Sequence, residues 1–278
     1  MCRWLAYLGE PIQPSKLIVE TPNSLVAQSL NSPLGAQTVN GDGFGLGWYP
    51  EATAESTPAV FRSIEPAWHD ENVRELSRAI ETPLFFAHVR AATLPPVQKT
   101  NCHPFRYESW LFMHNGVIRE FPRLHRELVL AIAPELFESV RGTTDSEVLF
   151  FLALTYGLRE DPVGGLARAI REVEQVGRAH GIPYPVQGTF AISNGSTVWA
   201  FRYSSERRSR TLFHSEDVTT LRMLYPEVER LQGYGEQSRV IVSEPLSDLP
   251  DAFHEVPEST VAILDVNGYR HEPFLQDA

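Results

Sequence analysis

The sequence predicts an α+β fold built on antiparallel sheets. Short strand-like runs recur along the whole chain, helix-like periodicity is confined to a few stretches, and the two do not alternate strictly. A doubly wound parallel sheet would require that alternation. The chain has 278 residues, 42% hydrophobic and 21% charged. This ordinary globular composition excludes disorder, collagen and coiled coil. At this length roughly three quarters of the unfolded surface can be buried, so stability needs neither disulfide nor metal.

The strand-like runs are Arg3–Leu8, Phe44–Tyr49, Ala59–Ser63, Leu84–Arg90, Trp110–His114, Thr189–Ser193, Thr197–Tyr203, Thr211–His214, Arg239–Ser243 and Val261–Val266. Most are rich in aromatic or β-branched residues and bounded by turn residues. The pairs Asn115-Gly116, Asn194-Gly195 and Asn267-Gly268 are hairpin signals. Helices are predicted over Asp70–Glu81, with Asp70 as N-cap, and over Arg123–Val140, as one helix or two broken near Pro134. Two more are predicted over Asp145–Leu158, behind the capping box Thr144-Asp145-Ser146-Glu147, and over Val163–His180, where Leu166, Ile170, Val173 and Val176 recur near helical spacing. A weak boundary falls at Pro183–Pro185, but the strands after it complete the same sheets. Glu216–Glu236 reads as a polar surface excursion. The expected organisation is one domain over residues 2–270 and a C-terminal tail over 271–278.

With 24 basic and 35 acidic residues, the net charge of −11 opposes a nucleic-acid surface. No apolar run reaches the ~18–20 residues of a membrane span, and the N-terminus lacks the pattern of a signal peptide. Cys2 and Cys102 are too few for a disulfide framework. A soluble cytoplasmic protein is expected, with no nucleic-acid or membrane partner.

Several segments could carry chemistry, and each alone has an ordinary structural reading. Cys2 is small enough to permit removal of Met1. It would then own an α-amine of pKa about 7.7–8.0 beside its thiol, uniting base and nucleophile; many proteins carry a small second residue without such a role. In Leu84–Thr93 an apolar strand ends at Arg90, whose planar guanidinium can fork onto a carboxylate or simply close the strand. Trp110–Gly116 carries an Asn-Gly pair to a strand tip, which serves as an oxyanion hole or as a hairpin turn. Thr143–Glu147 caps a helix, or aims Asp145 at an ammonium group. Asn40–Trp48 is glycine-rich but fits no phosphate-loop pattern and precedes a strand. Its glycines let the backbone pass close to a site or another strand.

Taken together and in order, Met1-Cys2-Arg3, Gly41-Asp42-Gly43-Phe44-Gly45, His88-Val89-Arg90-Ala91-Ala92-Thr93, His114-Asn115-Gly116, Thr144-Asp145-Ser146-Glu147 and Val242-Ser243-Glu244-Pro245 resemble the class II, N-terminal cysteine, glutamine amidotransferases, which are N-terminal nucleophile hydrolases. The likeness is nearest to stand-alone members: the YafJ-like group and the γ-glutamyl amidohydrolase of the ergothioneine pathway. It implies a four-layer αββα sandwich of two antiparallel sheets. It implies Cys2 as nucleophile with its α-amine as base, Asn115 and Gly116 as oxyanion hole, Arg90 and Asp145 binding the substrate's α-carboxylate and α-ammonium, and Thr93 contacting substrate. The expected substrate is glutamine or a γ-glutamyl conjugate, with no cofactor and no metal. Larger synthases follow the threonine with His-Gly and the arginine with Trp. Here Leu94-Pro95 follows Thr93, so the family's contacts from that position do not carry over, and Ala91 follows Arg90, which implies a wider pocket on that side. No acceptor domain follows, so a partner synthase taking the ammonia is left open, as is the oligomeric state.

Cys102-His103-Pro104 has no metal-site spacing, and His103 reads as structural. Glu206-Arg207-Arg208-Ser209-Arg210 is a basic patch in an acidic protein, a solvated turn or a contact for an anionic substrate or partner. Two other functions fit the same residues: an N-terminal cysteine acylase for another amide, which would need neither Arg90 nor Asp145, and a non-catalytic glutamine sensor.

Overall fold

The computed structural model describes residues 2–31, 39–92 and 96–276. Two antiparallel sheets lie face to face. The first is built from β1 (Arg3–Ile12), β2 (Phe44–Tyr49), β3 (Ala59–Ser63), β4 (Thr82–Val89), β9 (Phe213–Ser215), β10 (Arg239–Val242) and β11 (Phe253–Glu255), in the order β11-β9-β10-β1-β4-β2-β3. The second contains β5 (Phe105–Tyr107), β6 (Trp110–Ile118), β7 (Val186–Ser193), β8 (Val198–Ser204), β12 (Thr260–Asp265) and β13 (Gly268–Pro273), in the order β13-β12-β8-β7-β6-β5. Helices α1 (Ser15–Ile18), α2 (Leu25–Leu30) and α3 (Glu71–Ala79) cover the first sheet. Helices α4 (Phe121–Leu130), α5 (Pro134–Phe137), α6 (Asp145–Thr155) and α7 (Pro162–Ala179) cover the second. A short α8 (Val218–Leu224) lies in the excursion.

Period-two alternation sorts the core into three layers. Along β1, Trp4, Ala6 and Leu8 enter the gap between the sheets, while Leu5 and Tyr7 face the helices. On β6, Leu111 and Met113 face the gap, and Phe112 packs toward α6 with Phe150, ring centroids 5.1 Å apart. Ala6, Ala191, Ala200 and Ala262 keep the gap thin. This is the αββα layering expected. Helix α6 is buried from Ser146 to Leu154, as befits a helix apolar on all sides and enclosed by protein.

Several expectations change. Asn115-Gly116 is not a turn: β6 runs on to Ile118, and the pair faces Thr189 and Gly188 of β7. The other two Asn-Gly pairs do turn, with positive φ at Gly195 and Gly268. Arg123–Val140 holds two helices, separated before Pro134. The capping box is half formed: Thr144 Oγ1 accepts from Glu147 N at 3.1 Å, but the Glu147 carboxylate turns to the N–H groups of Arg141 and Gly142. Glu216–Glu236 contains α8 and a 3₁₀ turn, folded over a small apolar cluster of Leu221, Leu231 and Ala252. Residues 271–273, expected in a tail, finish β13, and Phe274 is buried against Phe201, so the ordered core runs past residue 271.

The glycines of β2 have a specific task. A Cβ at Gly45 would lie 1.8 Å from the His103 carbonyl oxygen, and one at Gly47 2.7 Å from Pro104 Cγ. The 103–104 backbone therefore crosses directly over the strand. Gly45→Ala has no flexible neighbour to displace, and urea denaturation is expected to show a loss of about 3 kcal/mol.

Candidate active site

The residues singled out in the sequence converge on one end of the gap between the sheets. Alternation along β1 puts Cys2 on the same face as Trp4, and along β4 it puts Arg90 on the face of Phe86 and His88. On β6 it puts Asn115 on the face of Leu111 and Met113, opposite them. The Trp4 indole N–H crosses the gap and donates to Thr189 Oγ1 at 3.1 Å. Thr189 is the β7 partner of Asn115, so one bond ties the strand of Cys2 to the strand of Asn115. Gly116 is the only residue that fits its place, because a Cβ there would lie 2.1 Å from Gln187 O.

Cys2 is partly buried, its Sγ 3.3 Å from the Ala91 N–H donor. Burial pushes the thiol above its ordinary pKa, and the Ala91 N–H and the Arg90 charge only partly pull it back. The sulfur is thus held toward its protonated, thiol form. Its backbone is gripped by Arg3, whose Nη1 donates to Cys2 O at 2.9 Å and whose Nε pairs with Glu244 at 2.8 Å. Arg3 and Glu244 are both buried. Removing one partner of such a pair costs about 3–5 kcal/mol, since a buried charge is left alone. Glu244 sits in the Val242–Pro245 motif, which in the sequence carried no role.

Arg90 is buried, and its Nη2 points to Pro96 O at 3.4 Å. Its backbone is held by the glycine-rich loop: Arg90 N donates to Gly43 O, Asp42 N to Arg90 O, and Ala92 N to Asp42 Oδ2, at 2.8–3.0 Å. Asp145 opens α6. Its Oδ2 accepts from Ile118 N at 2.8 Å, just past the Asn115-Gly116 pair, and its Oδ1 accepts from Ser146. A carboxylate offers about four lone-pair sites, so Asp145 is fixed in place with acceptor capacity to spare. Thr93 lies outside the described residues.

Sequence reasoning missed Asn101. Fully buried, it donates to Pro96 O and accepts from Thr143 N at 2.8 Å, joining the segment after Arg90 to the start of α6. A lone Asn beside Cys102 carries no local signal for this. A buried histidine group also lies here. His88 stacks on His103 with centroids 4.3 Å apart, and His114 Nδ1 bonds Ser146 Oγ at 2.9 Å. Neither ring nitrogen of His88 or His103 has a hydrogen-bond partner among the described residues. Among the described residues no group of three or more His, Cys, Asp or Glu side chains is arranged to hold a metal ion.

A sequence model of the class II glutamine amidotransferases matches residues 18–253. The chain belongs to that family, and it is an amide-cleaving enzyme with the αββα fold of the N-terminal nucleophile hydrolases. A probable glutamine amidotransferase of Saccharomyces cerevisiae, DUG3, is 33% identical over 306 residues, covering 100% of this chain and 85% of the relative. The γ-glutamyl-hercynylcysteine sulfoxide hydrolase of Mycolicibacterium smegmatis is 28% identical over 177 residues, 63% of this chain and 70% of the relative. A solved structure of a glutamine aminotransferase class-II domain protein from Silicibacter pomeroyi superimposes with a TM-score of 0.73 at 30% identity, over 98% of each chain. No described helix is long and apolar enough to cross a membrane.

Two titrations follow. With the Cys2 pKa raised, iodoacetamide labelling of Cys2 should keep accelerating above pH 9 rather than level off near neutrality. Mass spectrometry of the labelled peptide measures this. Burial, then Arg90, hold the His88 pKa down at about 3 against an ordinary 6.5. Between those values the unfolded chain binds the proton and the folded chain does not. The His88 contribution to stability is therefore whole above pH 6.5 and lost as pH falls toward 3. Urea midpoints from pH 7 to 4 should fall more steeply in the wild type than in His88→Gln.

Proposed function

We propose that the chain hydrolyses the γ-amide of glutamine, or of a γ-glutamyl conjugate, through a thioester on Cys2. The observation that carries this is the convergence of Cys2, Arg90 and Asn115 on one gap between sheets, with Asp145 anchored beside the end of β6. A zwitterionic amino acid needs one fixed cation and one fixed anion, and Arg90 and Asp145 are fixed by their backbone and helix-terminal bonds. After removal of Met1, the Cys2 α-amine takes the thiol proton and Sγ attacks the γ-carbonyl carbon. The Asn115 side chain and the Gly116 N–H hold the oxyanion. As the C–N bond breaks, the amine returns the proton to the departing ammonia or amine. Water then cleaves the thioester to release glutamate and restore the thiol. Thr93 is proposed to contact the substrate.

The γ-glutamyl hydrolase among the relatives supports a conjugate as substrate. The site is proposed to act in the cytoplasm, and delivery of ammonia to a partner synthase is the amidotransferase version of the same half-reaction.

Intact mass before and after incubation with a diazo-ketone analogue of glutamine tests the proposal. The expected result is a chain lacking Met1 that takes up one adduct, lost in Cys2→Ala. Arg90→Gln and Asp145→Asn should each lower kcat/KM for the γ-glutamyl substrate by about 10²-fold or more, mainly through KM. A processed chain that takes no adduct and turns over no γ-glutamyl amide would overturn it, and retention of Met1 would favour a glutamine sensor.

A further inference from the structure

In a γ-glutamyl amide the glutamyl α-end and the group on the amide nitrogen lie on opposite sides of the scissile carbon, and the chain segments on the two flanks of β1 each carry an arginine, Arg90 and Arg210. In the first sheet β1 lies between β4 and β10. Arg90 follows β4, and Asp145 is bonded to the end of β6. On the other flank, the loop after β8 packs against the end of β10. Thr211 Oγ1 donates to Ser243 O at 3.0 Å, and Ser243 is bonded in both directions to Trp4, with Trp4 N donating to its Oγ and its own N donating to Trp4 O. The same loop is tied on its other side. Ser209 N donates to Glu258 at 2.9 Å, Arg202 Nε donates to Ser209 Oγ at 2.9 Å, and the Arg208 carbonyl accepts from Gln187. Between Ser209 and Thr211 stands Arg210, held by bonds to its neighbours on both sides.

Arg210 is unlike the other cations here. Arg3 has Glu244 and the Cys2 carbonyl. Arg210 Nε is buried and has no hydrogen-bond partner among the described residues, and no ion pair holds its guanidinium there. Burial and the Arg3 charge both work against its protonated form, while Cys2 is the group that favours it. A guanidinium stays charged in proteins. Its forked donors match a carboxylate, and the missing counter-ion is one the substrate can supply.

We propose that Arg210 binds a carboxylate carried by the amine portion of the scissile amide, so that the preferred substrates are γ-glutamyl amides of amino acids or peptides rather than glutamine or neutral amides. This rests on the γ-amide cleavage by Cys2 proposed above. Arg90 and Asp145 then read the glutamyl end, and Arg210 reads the other. It also gives the basic patch Glu206–Arg210 a function beyond a solvated turn.

The test uses γ-glutamylglycine and γ-glutamylmethylamide, which differ only by the carboxylate, with glutamine in the same preparations. The ratio of kcat/KM for the two conjugates is expected to be about tenfold or more in the wild type. It should fall to about one in Arg210→Gln and be partly retained in Arg210→Lys, whose point charge lacks the fork. A wild-type ratio near one would overturn the proposal. So would an Arg210→Gln variant that slows both conjugates equally, because a role confined to the Cys2 thiol or to loop packing acts on every substrate alike. Glutamine separates the two levels of failure. Ammonia release from glutamine without discrimination between conjugates refutes the role of Arg210 alone, whereas turnover of none of the three refutes the amide-cleavage reading with it.

Discussion

The site depends on a single closure, that of two sheets across a thin apolar gap, pinned by the indole of Trp4 on Thr189. Cys2 is two residues from Trp4, and Asn115 is the direct strand partner of Thr189. Cys2 and the Asn115 amide opposite it therefore belong to different sheets and meet only because the sheets do. Alanines in the gap bring the layers close. Larger residues would hold Cys2 and Asn115 apart and forfeit packing as well.

Around that closure, charge is arranged by what is matched and what is not. Arg3 and Glu244 neutralise each other in the core and fix the Cys2 backbone, which makes them structural despite their place beside Cys2. Asp145 is saturated enough to be rigid and open enough to accept another donor. The buried histidines stay neutral because burial and neighbouring cations disfavour their charged forms, so they add shape and no charge near Arg90. The proposed zwitterion site gains from such neutral filling, since a third charge there would compete with the substrate's own.

Much of the candidate site was legible because its residues lie in short local motifs. Cys2, Arg90, the Asn115-Gly116 pair and Asp145 each stand at or beside the end of an apolar run, where a strand or helix delivers a polar group to an edge. What failed was the local geometry. Asn-Gly is the commonest hairpin pair, yet Asn115-Gly116 is paired within β6 because β7 offers Gly188 opposite and leaves no room for a Cβ. The Glu147 side chain abandoned the capping box because two free N–H groups at Arg141 and Gly142 competed for it. Asn101 and Glu244 carried little or no specific signal, since Thr143 and Arg3, the partners that give them their places, lie 42 and 241 positions away.

The sequence by itself determined the α+β class, the period-two faces of the strands, most element positions and the family, because hydrophobic periodicity and contiguous motifs are local properties of the chain. Only the tertiary structure decided which motif served which: that the glycine-rich loop holds Arg90, that Glu244 holds Arg3, and that the loop carrying Arg210 is bonded to the end of β10, on the flank of β1 opposite β4. Those relations are set by strand order and sheet closure, which bring together residues as much as 241 positions apart, and no periodicity along the chain encodes them.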